Sequence, residues 1–131
     1  MIVLDTQAWL WWLHSPSELS RAALLAVRRA EAEESILVSA ISVWEVAVKN
    51  SSGKLSLPME IHDWFRHASN YPGISIEPVM PADAIDSTLL PGEFHKDPAD
   101  RMIVALARRH TAPLVTSDSL IRAYPHVKTI W

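Results

Sequence analysis

Short apolar runs separate longer stretches of helical periodicity, and this alternation predicts the order of the structural elements. Runs rich in β-branched residues predict buried strands at Met1–Leu4, Ile36–Val38, Ile74–Val79, Pro113–Thr116 and Val127–Trp131. Apolar positions at helical spacing predict helices at Gln7–His14, Ser17–Glu34, Val43–Asn50, Met59–Ser69, Pro81–Leu89 and Pro98–His110, with one further turn at Ser119–Ala123. Strands that alternate with helices favour a parallel sheet with helices on both of its faces.

Local signals predict where several of these helices begin and end. Thr6 is expected to cap the first helix, and either Ser39 or Ser42 is expected to cap the helix that follows the second strand. Loops are expected at Ser51–Pro58, which contains a Gly-Lys turn, and at Pro91–Asp97.

The composition limits the class of protein. The 131 residues are 49% apolar, so we expect residues 1–131 to form a single domain with a substantial core. Cysteine is absent, which excludes disulfides, thiolate metal sites and a Cys nucleophile and fits a reducing compartment. No apolar run reaches the roughly 20 residues of a membrane span, and no signal peptide is evident. We therefore expect a cytoplasmic protein with no membrane association.

The charge argues against a passive nucleic-acid binder. Lys and Arg number 12 against 15 Asp and Glu, which gives a formal net charge of −3, whereas nucleic-acid binders are usually basic. A metal-dependent nuclease is less affected by this objection, because bound cations neutralise its carboxylates. Two divalent ions would change the charge from −3 to about +1 and would become the largest local positive charges.

Acidic residues stand where strands end and helices begin. Asp5 closes the first strand, and Asp118 lies just beyond the fourth. Asp97 and Asp100 open the helix in the stretch HKDPADRMIVALA, where the helix dipole favours a carboxylate. Ligands of open α/β sheets bind at the carboxyl ends of the strands, so we expect these acids to lie on one edge.

Glu45 differs from the other candidate acids, because it lies inside a predicted helix with apolar residues around it, namely Val43, Trp44, Val46 and Val48. A carboxylate in such apolar surroundings is expected to be half-buried and to need a partner or a metal. A pair with Lys49, four residues along the helix, is the simpler alternative. The other acids also have simpler alternatives, namely a strand end at Asp5, an N-cap at Asp97 or Asp118, and dipole stabilisation or a pair with Arg101 at Asp100.

Taken together, Asp5, Glu45, Asp100 and Asp118 predict one pocket of hard oxygen ligands without His or Cys. Such a pocket suits Mg²⁺ or Mn²⁺ better than Zn²⁺. Two such ions roughly 4 Å apart can activate a water and stabilise the leaving oxygen of a phosphodiester. We expect Asp5 and Asp100 to bind metal directly, and Glu45 and Asp118 to hold metal-bound waters or a second ion. Residues expected to orient these ligands are Thr6, Thr116 and Ser117.

At these residues the chain resembles the PIN-domain ribonucleases, and more narrowly the VapC-type toxins of toxin–antitoxin pairs. The resemblance covers nearly the whole chain and rests on four segments in order, which are IVLDT ending at Thr6, SAISVWE ending at Glu45, HKDPADRMIVALA containing Asp100, and LVTSD ending at Asp118. The loop GKLSLP after the second segment is familiar from one branch of the family. The order and spacing are specific, although no single segment is.

The resemblance implies a three-layer α/β/α sandwich around a central, mostly parallel sheet of about four to five strands. It also implies an endoribonuclease that depends on Mg²⁺ or Mn²⁺, acts as the toxin of a toxin–antitoxin pair and forms a homodimer. A cognate antitoxin would inhibit it, and basic antitoxin side chains entering the acidic pocket would fit the charge argument. The resemblance assigns metal-binding and catalytic roles to Asp5, Glu45, Asp100 and Asp118 and leaves the role of Asp97 open.

Several other residues have two interpretations. Tryptophans 9, 12, 44 and 64 are expected in the core or between helices, although some could line an apolar groove for an antitoxin segment. Trp11 is the tryptophan expected to be exposed. Surface charge is the simpler interpretation of Arg101, Lys49 and Lys54, and contact with RNA phosphates is the functional one. His95 is expected to form loop hydrogen bonds rather than to act as a general acid.

Two other classes of function compete with the nuclease. A phosphate-accepting receiver domain also uses Asp and Mg²⁺, but it needs an Asp closing the central strand and a Lys closing the last. Met80-Pro81 follows the third predicted strand, and no Lys ends a strand opposite Asp5. The second class is a PIN-like binding module whose carboxylates grip a basic partner without catalysis.

Overall fold

The computed structural model describes all 131 residues and contains one five-stranded sheet. The strands are β1 (Ile2–Leu4), β2 (Ile36–Ser39), β3 (Ile74–Glu77), β4 (Leu114–Val115) and β5 (Thr129–Ile130). Their spatial order is β3-β2-β1-β4-β5, and every neighbouring pair is parallel. The fold class predicted from the sequence is confirmed, with a sheet that is wholly parallel. The receiver domain is excluded, because its doubly wound fold has the strand order 2-1-3-4-5.

Seven helices cover the sheet. They are α1 (Thr6–His14), α2 (Arg21–Ala32), α3 (Ala40–Ser51), α4 (Ile61–Ser69), α5 (Pro81–Asp86), α6 (Pro98–Arg109) and α7 (Ser119–Ala123), and a single 3₁₀ turn lies at Pro16–Glu18. None of the seven has both the length and the apolar character needed to cross a membrane.

The strands at the centre of the sheet bury side chains on both faces. In β1, Ile2 and Leu4 join the core on one face, where α1, α2 and α4 pack. The residue between them, Val3, joins the core on the other face beside α6. Because successive side chains of a strand point in opposite directions, one short apolar run supplies both cores. This explains why the strand sequences are continuously apolar rather than alternating.

The predicted helix boundaries are wrong in places where a capping residue was misassigned. Asp5, not Thr6, caps α1 by accepting a hydrogen bond from the backbone N–H of Ala8. The long helix predicted from Ser17 is divided, because Ser20 caps a separate α2 by accepting from Ala23. Ser39 caps α3, which resolves the alternative left open between Ser39 and Ser42. The strands β3, β4 and β5 are shorter than predicted.

The tryptophans only partly follow the sequence prediction. Trp9, Trp12 and Trp64 are buried as expected, and the rings of Trp9 and Trp64 pack edge to face at 5.1 Å. The prediction that Trp44 is buried is wrong, because 58% of this residue is exposed. Trp11 is only half-buried rather than exposed, since its ring packs 5.6 Å from that of Trp131. The helical spacing did not show which face of α3 lies toward the core.

Candidate active site

A polar pocket of about 280 Å³ opens at the carboxyl ends of β1 and β4. No hydrophobic residue lines it, and its lining residues are Asp5, Thr6, Gln7, Glu45, Lys49, Asp100, Ser117 and Asp118. Cavities of about 590 and 650 Å³ occur elsewhere, so size does not single this pocket out. Its four carboxylates do, because a concentration of charge at a strand edge is typical of a functional site.

The fold places Asp5 at the floor of the pocket. Asp5 follows the last residue of β1, and only 7% of it is exposed. Its Oδ1 accepts a hydrogen bond from the N–H of Ala8 at 2.8 Å. This bond caps α1, so the same carboxylate ends a strand, starts a helix and faces the pocket.

Asp118 reaches the pocket from the neighbouring strand by a similar arrangement. It follows β4, and its Oδ1 accepts from the N–H groups of Leu120 and Ile121 at 2.9 and 3.0 Å. Its own N–H donates to Oγ1 of Thr116 at 3.0 Å, and Thr116 is fully buried. The Thr116 hydroxyl therefore fixes the turn that carries Asp118.

Asp100 lies in the first turn of α6, and Asp97 caps that helix. The N–H of Asp100 donates to Oδ1 of Asp97 at 2.9 Å. The N-cap alternative for Asp97 is thus confirmed, and Asp97 does not line the pocket. Asp100 does line it, which places a carboxylate from a third element beside those of Asp5 and Asp118.

Glu45 projects from α3 and is held by α1. Oγ1 of Thr6 lies 2.5 Å from Oε1 of Glu45 and 2.8 Å from Oγ of Ser42. A hydroxyl has one proton and a carboxylate can only accept. Thr6 therefore donates to Glu45 and accepts a hydrogen bond from the Ser42 hydroxyl. Glu45 is half-buried as predicted, and it makes no ion pair with Lys49. The partner of Glu45 is therefore Thr6, which the sequence suggested only as a cap or ligand-orienting residue.

The crowding of these carboxylates changes their acidity. Burial raises the pKa of Asp5 to about 6, against the opposing hydrogen bonds from the Thr116 hydroxyl and the Ala8 N–H, and the charges of Asp118 and Glu45 raise it further. Burial also raises the pKa of Asp100 to about 7, with further contributions from the charges of Asp97, Asp118 and Glu45. Both groups thus lie in an environment that lacks compensating positive charge.

A guanidinium group holds the loop that precedes α6. Nε of Arg101 donates to the carbonyl of Ser87 at 2.7 Å, and Nη1 donates to the carbonyls of Phe94 and His95 at 3.0 and 3.2 Å. These bonds occupy the half-buried Arg101 side chain inside the protein, so its interpretation as surface charge is wrong, and it forms no ion pair with Asp100. No sequence pattern marks this role, because the three acceptors are backbone atoms.

The loop that Arg101 holds places His95 against the pocket. Nε2 of His95 lies 3.1 Å from Oδ2 of Asp100. The contact has the distance of an ion pair without the directionality of a hydrogen bond. His95 therefore contacts a pocket carboxylate, and the loop hydrogen bond expected of it is accepted by its backbone carbonyl from Arg101 rather than formed by its ring.

The chemistry of the pocket fits a hard divalent cation. The atoms that its acidic residues offer to a metal are all carboxylate oxygens, and the hydroxyls of Thr6 and Ser117 lie beside them. Burial and neighbouring carboxylates raise the pKa values of Asp5 and Asp100, and Lys49 is the one Lys or Arg that lines the pocket. No three acidic or His side chains are arranged closely enough to hold one ion in their present rotamers. Rotation of the carboxylates within the pocket, or contact through metal-bound waters, would allow them to share an ion.

This arrangement defines a class, namely α/β/α proteins with a carboxylate pocket at the carboxyl edge of a parallel sheet. Residues 2–127 match the sequence profile of the PIN domain. The chain is also 31% identical over 132 residues to Ribonuclease VapC22 of Mycobacterium tuberculosis, a match that covers 99% of this chain and 98% of the relative. The chain therefore belongs to the PIN-domain family, and the resemblance to VapC-type proteins is confirmed.

Solved structures show the same fold at lower identity. VapBC2 from Rickettsia felis, bound to a DNA fragment from its promoter, matches with a TM-score of 0.71 and 15% identity, covering 98% of this chain and 97% of that one. A toxin–antitoxin complex from Klebsiella pneumoniae matches with a TM-score of 0.66 and 19% identity, covering 97% and 95%.

Proposed function

We propose that this chain is a metal-dependent endoribonuclease and the toxin of a toxin–antitoxin pair. The observation that carries the proposal is the convergence of Asp5, Glu45, Asp100 and Asp118, from four different elements, on one pocket without hydrophobic lining. The relative named as a ribonuclease aligns over almost the full length of both chains and supports the same activity. RNA is the substrate class that this relationship favours.

In the proposed reaction, the protein's own groups bind and orient. Asp5 and Asp100 provide the buried carboxylates for direct binding of Mg²⁺ or Mn²⁺, while Glu45 and Asp118 complete the negative pocket. Thr6 orients Glu45 through its hydroxyl, and Thr116 fixes the turn that carries Asp118. Bound Mg²⁺ or Mn²⁺ supplies water activation and charge stabilisation for phosphodiester hydrolysis in sites of this kind.

The proposed partners follow from the charge and from the relatives. Two similar structures are described as toxin–antitoxin complexes or a VapBC pair, and we propose a cognate antitoxin for this chain. A pocket with four carboxylates and one Lys would accept a basic side chain of that partner. We also propose a homodimer and a cytoplasmic location, where RNA and an antitoxin are both available.

The proposal is tested by incubating purified protein with total RNA in Mn²⁺ or Mg²⁺ and in EDTA. A double variant, Asp5→Asn with Asp100→Asn, is purified identically to control for contaminating nucleases. Asn preserves the N-cap at position 5, so the variant is expected to fold. Discrete fragments that need metal and vanish in the double variant are the expected result, and their ends identify the cleaved sequence.

Equal cleavage by wild type and double variant would assign the activity to a contaminant and overturn the proposed site. The second candidate function is a PIN-like module that grips a basic partner without catalysis, which the high carboxylate density of the pocket also allows. Tight binding of an antitoxin by a protein that cleaves no RNA in either metal would favour this alternative.

A further inference from the structure

A second cavity adjoins the carboxylate pocket and has the opposite charge. It measures about 650 Å³ and lies between α1 and the chain that follows α3. We call it the lysine groove, and its lining residues are Gln7, Leu10, Trp11, His14, Ser15, Lys49, Lys54, Leu55, Ser56, Leu57 and Pro58. Gln7 and Lys49 line both cavities, so the groove and the pocket are neighbours.

The backbone after α3 holds the two lysines side by side. Gly53 adopts a φ of 77°, a left-handed conformation that reverses the chain at the end of the helix. The N–H groups of Lys54 and Leu55 then both donate to the carbonyl of Lys49, at 2.9 and 3.1 Å. The positions of Lys49 and Lys54 on the groove are thus fixed by main-chain hydrogen bonds rather than by a flexible loop.

The lysine groove has no acidic side chain of its own, although Lys49 also borders the carboxylate pocket. The whole chain, by contrast, carries an excess of acids. Neither Lys49 nor Lys54 forms an ion pair. Positive charge in the groove thus lies next to negative charge in the pocket. This arrangement suits a polyanion that lies along the groove while metal ions hold one of its phosphates at the carboxylates.

Apolar side chains accompany the lysines. Leu10, Trp11, Leu55 and Leu57 line the same groove, and the half-buried Trp11 is held in place by its packing on Trp131. Aromatic and apolar surfaces beside lysines are the combination that binds unpaired bases together with their phosphates. A duplex would present its bases stacked and paired, away from such a surface.

We propose that the lysine groove binds the single-stranded RNA that flanks the scissile phosphate, with Lys49 and Lys54 on successive phosphates and Trp11 beside a base. This inference rests on the proposed function and assigns this groove, with Lys49 and Lys54, as the place where the RNA beside the scissile phosphate lies. A basic protein segment is the less suitable occupant, because two unpaired lysines without an acid would repel it. The acidic pocket next to the groove is the place for basic side chains of a partner.

The test measures binding rather than cleavage, in the Asp5→Asn, Asp100→Asn background, so that it does not depend on the enzyme being active. A short fluorescent single-stranded RNA is titrated by anisotropy against this protein and against the same protein with Lys49→Gln and Lys54→Gln. Lys128→Gln is the matched control, since Lys128 is exposed and lies at the start of β5, away from both cavities.

Each phosphate contact with a single strand contributes about 0.7 to the slope of log affinity against log salt. The double lysine substitution is therefore expected to reduce that slope by about 1.4. Between about 50 and about 200 mM salt, the affinity advantage of the protein with both lysines should shrink by about sevenfold. Lys128→Gln should leave the slope unchanged, and an RNA duplex of the same length should bind more weakly than the single strand.

Three results would overturn the inference. If the double lysine variant keeps the wild-type slope of log affinity against log salt, RNA does not bind in the groove. If that variant also loses binding to a basic partner protein, the groove belongs to that partner. An equal slope change in Lys128→Gln would mean diffuse binding by net charge. If an RNA duplex bound as tightly as the single strand, the proposal that the groove binds unpaired bases would be refuted. Failure of wild-type protein to cleave RNA, with these binding results intact, would instead refute only the proposed catalysis.

Discussion

At the scale of single residues, the crowding in the carboxylate pocket has its largest effect on Asp5 and Asp100. Each has a pKa raised above the usual value of 3.8, to about 6 and about 7 respectively, and burial is the largest cause in both cases. A pKa raised in the folded state means that the folded protein binds protons more tightly than the unfolded chain. The stabilising effect is complete below pH 3.8 and is lost as the pH rises through the folded-state pKa values.

The metal-free protein is therefore expected to lose stability between about pH 4 and about pH 7. Asp100→Asn removes one of the crowded charges, so it should flatten this dependence and stabilise the metal-free protein at pH 8 by on the order of 1–2 kcal/mol. Urea unfolding in EDTA at several pH values measures the effect. Asp86→Asn, at an exposed position, is the control and should leave the pH dependence as it is in wild type. A wild-type stability that rises over this range would contradict the prediction.

Among the structural elements, the loop before α6 depends on one side chain. Arg101 binds the carbonyls of Ser87, Phe94 and His95, and this loop carries His95 to Asp100. Arg101→Met removes all the donors at once, so we expect the loop to shift and RNA cleavage to fall by about 10- to 100-fold. Arg101→Lys, which keeps a charge and a donor, should recover part of the loss. Steady-state cleavage with a defined RNA separates an effect on kcat from one on KM.

A second pair of elements offers the matched control. The Asp83 side chain on α5 is buried and accepts two hydrogen bonds from Arg109 on α6, at 2.6 and 3.1 Å. Asp83→Ala breaks this contact away from the pocket and is expected to lower the free energy of unfolding by about 1–3 kcal/mol. Cleavage below the melting temperature should be unchanged. If Asp83→Ala and Arg101→Met reduced cleavage equally, the effect of Arg101 would be one of general stability.

Sequence reasoning predicted the elements better than their ends. Short, continuously apolar runs were sufficient to identify β1 and β2, because both faces of these strands are buried. The start of α1 was misplaced because Asp5 and Thr6 are both good N-caps, and only the Ala8 hydrogen bond distinguishes them. The end of β3 depended on pairing with β2, which ends at Ser39↔Glu77.

The candidate site was predictable for a similar reason and within similar limits. Parallel strands bring their carboxyl ends to one edge, so acids that close strands had to be neighbours. The bond from Thr6 to Glu45 and the contacts of Arg101 join residues distant in sequence or join a side chain to the backbone. Such contacts leave no periodic signal. The metal-binding and catalytic roles of the four acids stay predictions until cleavage is measured.

At the scale of the whole molecule, the proposed metal binding in the pocket is expected to be linked to folding. A ligand that binds only the folded protein stabilises it by about 2.7 kcal/mol at a free concentration of 100 times its Kd. Because Mn²⁺ would relieve the repulsion among the four carboxylates, we expect the melting temperature at pH 7.5 to rise on adding MnCl₂ and to fall again with EDTA. The Asp5→Asn, Asp100→Asn protein should not respond, and an equal response would place the metal elsewhere.

The double use of Asp5 and Asp118 as pocket carboxylates and helix caps affects how the gene for the proposed toxin can lose its activity. Loss of either carboxylate to Ala costs a cap worth about 1 kcal/mol, so cells that escape poisoning by these mutations would also contain less of the protein. Glu45 and Asp100 cap no helix, so their loss costs no cap. Inactive alleles that persist at full abundance, and still titrate the antitoxin away from an intact copy, should therefore arise mainly at Glu45 and Asp100.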